Sequence, residues 1–296
     1  MNAHPKRPRV LVIYKKSAYR VYVHERKHPR VTALLHAGDR AASRLMRAHG
    51  SHEATMLAAR AALRALGASA VFRHRSIRSS AHEFDLVVTI GGDGTLLRSS
   101  QFVGVDSPVV AINSAPDDSV GFFCAGSRDE VGDVLAAALR GTLPERRLTR
   151  MQVRIDGELA TTRVLNDVLF CHEAPAATTR YSIRFRGREE EHKSSGIWIA
   201  TAAGSTAAIA SAGGRAQPIS SAQLQFMVRE PYLHGLARPR LLHGFVRSGE
   251  RLRLRSQIRA ARLFIDGPRI FRIVEIGSRL EISRSPEPLT LLGFKR

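Results

Sequence analysis

The run Ile90-Gly91-Gly92-Asp93-Gly94-Thr95 sets three glycines around one acid. Glycines at such positions let the backbone approach a ligand without Cβ obstruction. The N–H groups of the turn, joined to the free N–H groups of a helix end, favour phosphate oxygens. Asp93 changes that chemistry, because a carboxylate among phosphate-binding amides repels phosphate and suits a metal or a hydroxyl that must lose its proton. No Gly-Lys-Ser/Thr follows and the spacing is not G-x-G-x-x-G, so the run is neither a Walker loop nor a dinucleotide fingerprint. Taken alone, it reads equally as a tight strand-to-helix turn with Asp93 as N-cap. A second cluster, Gly204-Ser205-Thr206, offers backbone and hydroxyl donors for further phosphates. A turn capping a helix also accounts for it, but the following Gly213-Gly214 pair is expensive in a helix unless backbone and ligand approach closely. A third polar feature, Asn166-Asp167, sits inside an apolar strand pattern over residues 164–170. Adjacent strand residues face opposite sides, so at least one of the two points away from outer solvent; a bulge with local hydrogen bonds is the alternative.

The elements that must position these residues change character along the chain. Residues 9–14 form a short β-branched run typical of a buried parallel strand. A basic polar loop follows, then helical spacing over 51–66 with Gly67 as the C-cap glycine. Further strands are predicted at 70–72, 84–90 and 109–112, and helices at 96–102 and 128–140. This alternation predicts a doubly wound α/β domain. From residue 148 the pattern is strands separated by turns, at 151–155, 161–170, 181–185, 197–201, 251–254, 261–265 and 271–276, with one helical insertion at 205–213. Asp156-Gly157, Arg186-Gly187 and Asp266-Gly267 mark hairpins. The fold class is therefore α/β, an N-terminal doubly wound α/β domain plus a C-terminal mostly antiparallel β domain. Expected boundaries are 1–145, 146–278, and a segment 279–296 packing back on the first domain.

Taken together, the motifs resemble the NAD kinase family over residues 85–267. Gly91-Gly-Asp-Gly-Thr95 is similar to its first signature, and Asn166-Asp167 to its Asn-Glu pair with Asp in place of Glu. The run from Ser194 to Ala208, continued by Ser211-Ala-Gly-Gly214, is similar to its second glycine-rich signature, and Asp266-Gly267 to its late Asp-Gly. Lys193-Ser-Ser-Gly196, the alanines after Thr206 and Gln225-Phe-Met-Val-Arg-Glu-Pro231 look most like the branch that includes plant NADH kinases. The resemblance implies an NAD kinase/diacylglycerol kinase-like fold and transfer of the terminal phosphoryl of ATP to the adenosine-ribose 2′-hydroxyl of NAD or NADH, giving NADP(H) and ADP. It implies Asp93 as catalytic base. It implies nucleotide contacts at Gly91, Gly92, Gly94, Thr95, Asn113, Asn166, Asp167, Lys193, Ser195, Ala203, Gly204, Ser205, Thr206, Ala207, Ser211 and Asp266. Mg²⁺ would be held through the ATP phosphates without dedicated protein ligands, and the assembly would be a homodimer or homotetramer. Two departures concern the nicotinamide end: Ser195-Gly196 stands where bacterial members commonly carry Asp-Gly, and Ala208 where they carry tyrosine. Losing an acid and a stacking face implies relaxed or reversed preference between NAD and NADH. Diacylglycerol and sphingosine kinases share Gly-Gly-Asp-Gly-Thr and a following β domain; the Gly204-Ser-Thr-Ala207 run and Asn166-Asp167 argue against them.

Composition sets the outer limits. With 46 Lys plus Arg against 26 Asp plus Glu, the 296-residue chain carries a net charge of +20. The charge is dispersed and aromatic residues are only 6%, so a dedicated nucleic-acid groove is not expected, although a non-catalytic polyanion or nucleotide-sensing protein is the rival of another class. Hydrophobic content of 44% excludes a disordered basic tail. Two cysteines, Cys124 and Cys171, exclude a disulfide scaffold and a C-x-x-C site. Neither a secretory signal nor a membrane span is apparent, so the expectation is a cytoplasmic protein without membrane or specific nucleic-acid partners.

Overall fold

The computed structural model describes residues 7–77, 81–233 and 239–295, so the first six residues of the basic opening stretch lie outside it. The chain divides into two compact units, Met1–Arg146 with Thr290–Arg296, and Arg147–Leu289.

The first unit is built on parallel strands β1 (Arg9–Tyr14), β2 (Ser69–His74), β3 (Leu86–Gly91), β4 (Val109–Asn113) and β5 (Gly126–Ser127). Their sheet runs β2-β1-β3-β4, with β5 beside β4 and with Leu289–Leu292 and β6 (Glu145–Leu148) beyond. β3 and β4 are buried at every position, as their unbroken apolar runs require of strands covered on both faces. Helices are α1 (Pro29–His36), α2 (Arg40–Ala65), α3 (Asp93–Ser100) and α4 (Val131–Leu139). The stretch read as a basic loop before residue 51 is instead a π-helical turn, α1 and the first half of α2. Asp39 caps α2, accepting from the amides of Ala41 and Ala42 at 2.9 and 3.1 Å. Its exposed arginines hid the helix from an apolar-periodicity reading. Gly67 ends it at φ 68° as expected.

The second unit holds β7 (Met151–Ile155), β8 (Glu158–Val164), β9 (Asp167–His172), β10 (Thr179–Phe185), β11 (Arg188–Ser194), β12 (Ile197–Ala200), β13 (Leu224–Val228), β14 (His243–Val246), β15 (Leu252–Ser256), β16 (Ala261–Ile265), β17 (Phe271–Val274) and β18 (Arg279–Arg284). Two antiparallel sheets, β11-β10-β15-β18-β7-β8 and β14-β13-β12-β9-β16-β17, share one apolar core that includes Phe170, Tyr181, Phe226 and Ile282. Asp156-Gly157 and Arg186-Gly187 each close a two-residue hairpin with both central residues at positive φ.

Three sequence expectations are corrected. The single strand over 161–170 is two strands in different sheets, because the chain crosses between sheets at Leu165-Asn166. Residues 279–284 form β18 of the second unit, paired with β7 and β15, so the segment grouped with the first unit begins at Thr290. The helical insertion shrinks to one turn, α5 (Ala208–Ser211), ended by Gly213 at φ 94°. The Gly213 amide donates to Ala210 at 3.0 Å and the Gly214 amide to Ile209 at 2.8 Å, the paired bonds of a Schellman cap. Local helix termination therefore explains the glycine pair without any ligand. Gly213→Ala should cost about 1–2 kcal/mol for its left-handed backbone, measured by urea unfolding, while leaving dinucleotide affinity within a few-fold; a selective loss of affinity would contradict this account.

Candidate active site

In an open parallel sheet, ligands bind beyond the carboxyl ends of the strands where the strand order reverses. Here β1 leads through the helices to β2 on one side, and the chain then returns to β3 on the other, so the reversal falls between β1 and β3. Gly91-Gly-Asp-Gly-Thr95 sits there, at the end of β3 and the first turn of α3. Gly92, rather than Asp93, occupies the N-cap position. The Asp93 carboxylate accepts hydrogen bonds from the Phe122 amide at 2.9 Å and the Phe123 amide at 3.0 Å. It is thus aimed by the loop after β4. That loop is itself shaped by Asn113, whose side-chain amide donates to the Ser119 carbonyl at 2.9 Å and accepts from the Ala115 amide at 3.2 Å. Both ends of the Asn113 amide are engaged within the protein, so it shapes the loop. Phe294, from the returning C-terminal segment, packs on Phe122 and Phe123 with ring centroids 5.6 and 6.4 Å apart.

The three glycines differ in what they face. A Cβ on Gly91 would stand 2.2 Å from Thr95 Oγ1, and one on Gly92 2.3 Å from Ser119 Oγ. A Cβ on Gly94 would meet no protein atom within 4 Å. Packing requires the first two glycines, whereas Gly94 leaves an open approach to the helix end.

Sequence reasoning missed the groups opposite the turn. Lys15 follows β1 and its amide reaches the Ile90 carbonyl at 3.4 Å; Arg75 follows β2 and donates to Thr95 Oγ1 at 3.4 Å. Burial and then Arg75 lower the Lys15 pKa, while Asp118 opposes them. No described residue forms a hydrogen bond or ion pair with the half-buried Lys15 ammonium. His52 on α2 lies 2.9 Å from Ser114 Oγ, and burial, followed by Lys15, brings its pKa down to about 4. It is neutral at physiological pH. The signal for Lys15 was its place directly after the first strand, which gains meaning only once β1 is known to lie beside β3.

In the second unit, the crossing at Leu165-Asn166 leaves backbone amides without sheet partners, and Asp266 supplies them. Its carboxylate accepts from the amides of Leu165 at 3.0 Å, Asn166 at 2.7 Å and Asp167 at 3.3 Å. Asp266 therefore holds the strand break, a structural duty beside its implied nucleotide contact. The Gly204 turn docks on the same break: Thr201 donates to the carbonyls of Leu165 and Asn166, and a Cβ on Gly204 would lie 2.3 Å from the Asn166 carbonyl oxygen. Asn166 Oδ1 is buried without a hydrogen-bond partner, an acceptor left for a donor. Ser205 is fully buried; its hydroxyl donates to the Ala202 carbonyl at 2.7 Å and accepts from the Gln217 amide at 2.9 Å. That hydroxyl has no proton left for a phosphate, which corrects its expected role as a donor. Ala203 is buried, Ala207 half-buried, and Thr206, Ala208 and Ser211 are exposed. Lys193 and Ser195 line a separate pocket of about 330 Å³ with Tyr232, over whose ring the Lys193 ammonium lies at 4.5 Å. His192 stacks on Tyr181, and His172 Nδ1 accepts from the Ala174 amide at 2.9 Å; both act structurally.

Asp167 is buried, and desolvation, followed by repulsion from Asp266, pushes its pKa up to about 7. A carboxyl whose folded pKa exceeds its unfolded value destabilises the fold increasingly as pH rises from the unfolded toward the folded value.

The ATP-NAD kinase N-terminal domain model matches residues 13–142. A probable NADH kinase of Oryza sativa subsp. japonica is 38% identical over 223 residues, covering 68% of this chain and 69% of the relative. The NADH kinase of Arabidopsis thaliana is 33% identical over 223 residues, covering 68% and 70%. In structure, an NAD kinase from Archaeoglobus fulgidus in complex with ATP aligns at TM-score 0.65 and 20% identity over 97% of this chain and 93% of its own. Yeast NADH kinase complexed with NADH aligns at TM-score 0.65 and 17% identity, covering 97% and 84%. The chain belongs to the NAD kinase family; the two structural likenesses show the shared fold, and the lipid-kinase and nucleic-acid readings are not favoured.

Two outcomes test the site. Gly94→Ala should leave the melting temperature unchanged or slightly higher, since Ala favours helix over Gly, yet lower kcat/KM at least tenfold; unchanged turnover would show that no ligand approaches there. Asp167→Asn should stabilise the protein by about 2–4 kcal/mol at pH 8 and by little near pH 4, read from unfolding curves at both pH values.

Proposed function

We propose that the protein phosphorylates both NAD and NADH at the adenosine-ribose 2′-hydroxyl, with ATP as donor. The observation that carries the reading is Asp93, fixed by two loop amides at a helix N-terminus at the strand-order reversal, with the Lys15 amide on the Ile90 carbonyl and Arg75 on Thr95 of the same turn. In phosphoryl transfer the protein mainly positions groups and offsets charge. The Phe122 and Phe123 amides orient the carboxylate, whose remaining lone pairs accept the hydroxyl proton. Asp is a weak base at neutral pH, and this suffices where proton loss comes late in a loose transition state. Lys15, Arg75 and the α3 amides offset the charge on the transferring phosphoryl group. Asn166 presents its orphan acceptor to the adenine amino group, and the Asp167 carboxylate accepts from ribose hydroxyls. Mg²⁺ would be held mainly through the ATP phosphates, leaving Asp93 free as the base, and would lower the charge of the triphosphate. The proposal extends to a cytoplasmic homo-oligomer.

Support for NADH as a substrate comes from the plant relatives and from Ser195 and Ala208 at the two departures. Purified protein with ATP and Mg²⁺, given NAD and NADH in parallel, should show kcat/KM values within tenfold or favouring NADH; strict NAD use would overturn the dual specificity. Asp93→Asn should lower kcat by about 10²–10⁴-fold with dinucleotide binding changed only a few-fold, and retained turnover would remove Asp93 from the base role.

A further inference from the structure

The outer face of the sheet β11-β10-β15-β18-β7-β8 carries arginines in register. Arg184 on β10 pairs directly with Arg253 on β15, and in the adjacent row Arg255 on β15 pairs with Arg279 on β18. Side chains directly opposite in an antiparallel pair lie about 4.5–5.5 Å apart at Cβ, and like charges there are destabilising. Rows on one face are about 7 Å apart, two residues along the strand. The four arginines thus rise from three adjacent strands in two neighbouring rows, within a patch about 10 Å by 7 Å at the backbone. Arg154 and Arg251 join them in lining a cavity of about 750 Å³, floored by the sheet backbone at Leu254 and Leu280, whose side chains lie in the core.

Acidic neighbours do not balance this charge. Glu281 accepts from Arg251 at 2.9 Å and from Arg253 at 3.0 Å, so its two oxygens are shared between two arginines. Glu189 stands directly opposite Arg184 in the β10–β11 register but accepts from Ser182 at 3.1 Å and makes no ion pair with that arginine. The side chains of Arg184, Arg255 and Arg279 make no ion pair with any described residue. Six arginines against two glutamates leave the lining at +4. No residue of the glycine-rich motifs lines this cavity.

We infer that this cavity binds a linear run of phosphates at a site separate from the substrate motifs. Guanidinium forks pair bidentately with phosphate oxygens and, being weakly hydrated, give up water readily. The concave shape and size suit a small ligand. No aromatic side chain lines the cavity, so the base stacking that anchors single-stranded nucleic acid is missing. A second copy of this chain would bring the same positive face against it. The phosphate run could be inorganic or the tail of a nucleotide, and the chemistry recognised is shared.

The test is titration calorimetry of the intact protein with inorganic tripolyphosphate, in parallel with ATP and with AMP, on wild type and on Arg255→Gln/Arg279→Gln. The expected result is a tripolyphosphate isotherm in wild type whose affinity falls at least tenfold in the variant and also weakens with added salt. NAD kinase kcat should be unchanged in the variant, and AMP should not report the site. Equal tripolyphosphate and ATP affinities at the site would assign the inorganic chain, and a tenfold ATP preference the nucleotide tail; both uphold it. Because these arginines are exposed and mutually repelling, the variant should also melt higher than wild type at low ionic strength, which separates lost binding from misfolding. Indistinguishable tripolyphosphate affinities would overturn the inference. So would an altered sedimentation coefficient without altered phosphate binding, which would assign the face to a second copy, or loss in the variant of a preference for single-stranded oligonucleotide over tripolyphosphate.

Discussion

The arrangement of the second unit depends on one carboxylate. Where the chain leaves one sheet for the other at Leu165-Asn166, three consecutive amides lose their strand partners, and buried unpaired amides cost about 1–3 kcal/mol each. Asp266 takes all three. That interaction lets the backbone cross between sheets, which exposes the carbonyls of Leu165 and Asn166 to Thr201 and seats the Gly204 turn against the break. It also fixes the cost of the site: Asp167 is so removed from water, with a second acid nearby, that its carboxyl resists ionisation. A ligand that donates hydrogen bonds to Asp167 relieves that cost on binding.

The first unit uses the same chemistry to a different end. Asp93 also receives backbone amides, but only two, from a loop held by Asn113 and braced by Phe294. One acid in a glycine turn is spent on holding a strand crossing, the other is aimed from one side and keeps acceptor capacity. In the proposed reaction, Lys15, Arg75 and the helix end beside this turn would offset the negative charge arriving on a phosphate chain.

The net positive charge has two separable meanings. Around Lys15 and Arg75 it belongs to the proposed reaction. On the arginine face of the second unit it is set by strand register, since a shift of one residue would turn those side chains into the core. Most other described arginines are exposed, where in the proposed function a positive field raises the local concentration of polyphosphate substrates, whereas Arg150 is fully buried and donates to the carbonyls of Glu287 and Pro288.

Local chemistry was legible in the sequence. Residues 84–90 read as a buried strand because four of the five residues 86–90 are apolar and mostly branched at Cβ. The turn after it had to be glycine-rich because Gly91 and Gly92 are pressed against Thr95 and Ser119. The Asp-Gly and Arg-Gly pairs had to be hairpins because they accept positive φ. Charged strands such as β11 and β18 were not legible, since their pattern is set by what covers one face. The break between β8 and β9 was hidden for a related reason: an apolar run looks the same whether it lies in one sheet or crosses two. Only the tertiary structure placed Lys15 beside the glycine turn, gave Ser205 and Gly213-Gly214 to local structure, and set arginine opposite arginine. Periodicity and turn chemistry are properties of neighbours in sequence, whereas these contacts join residues that become neighbours only when strands pair.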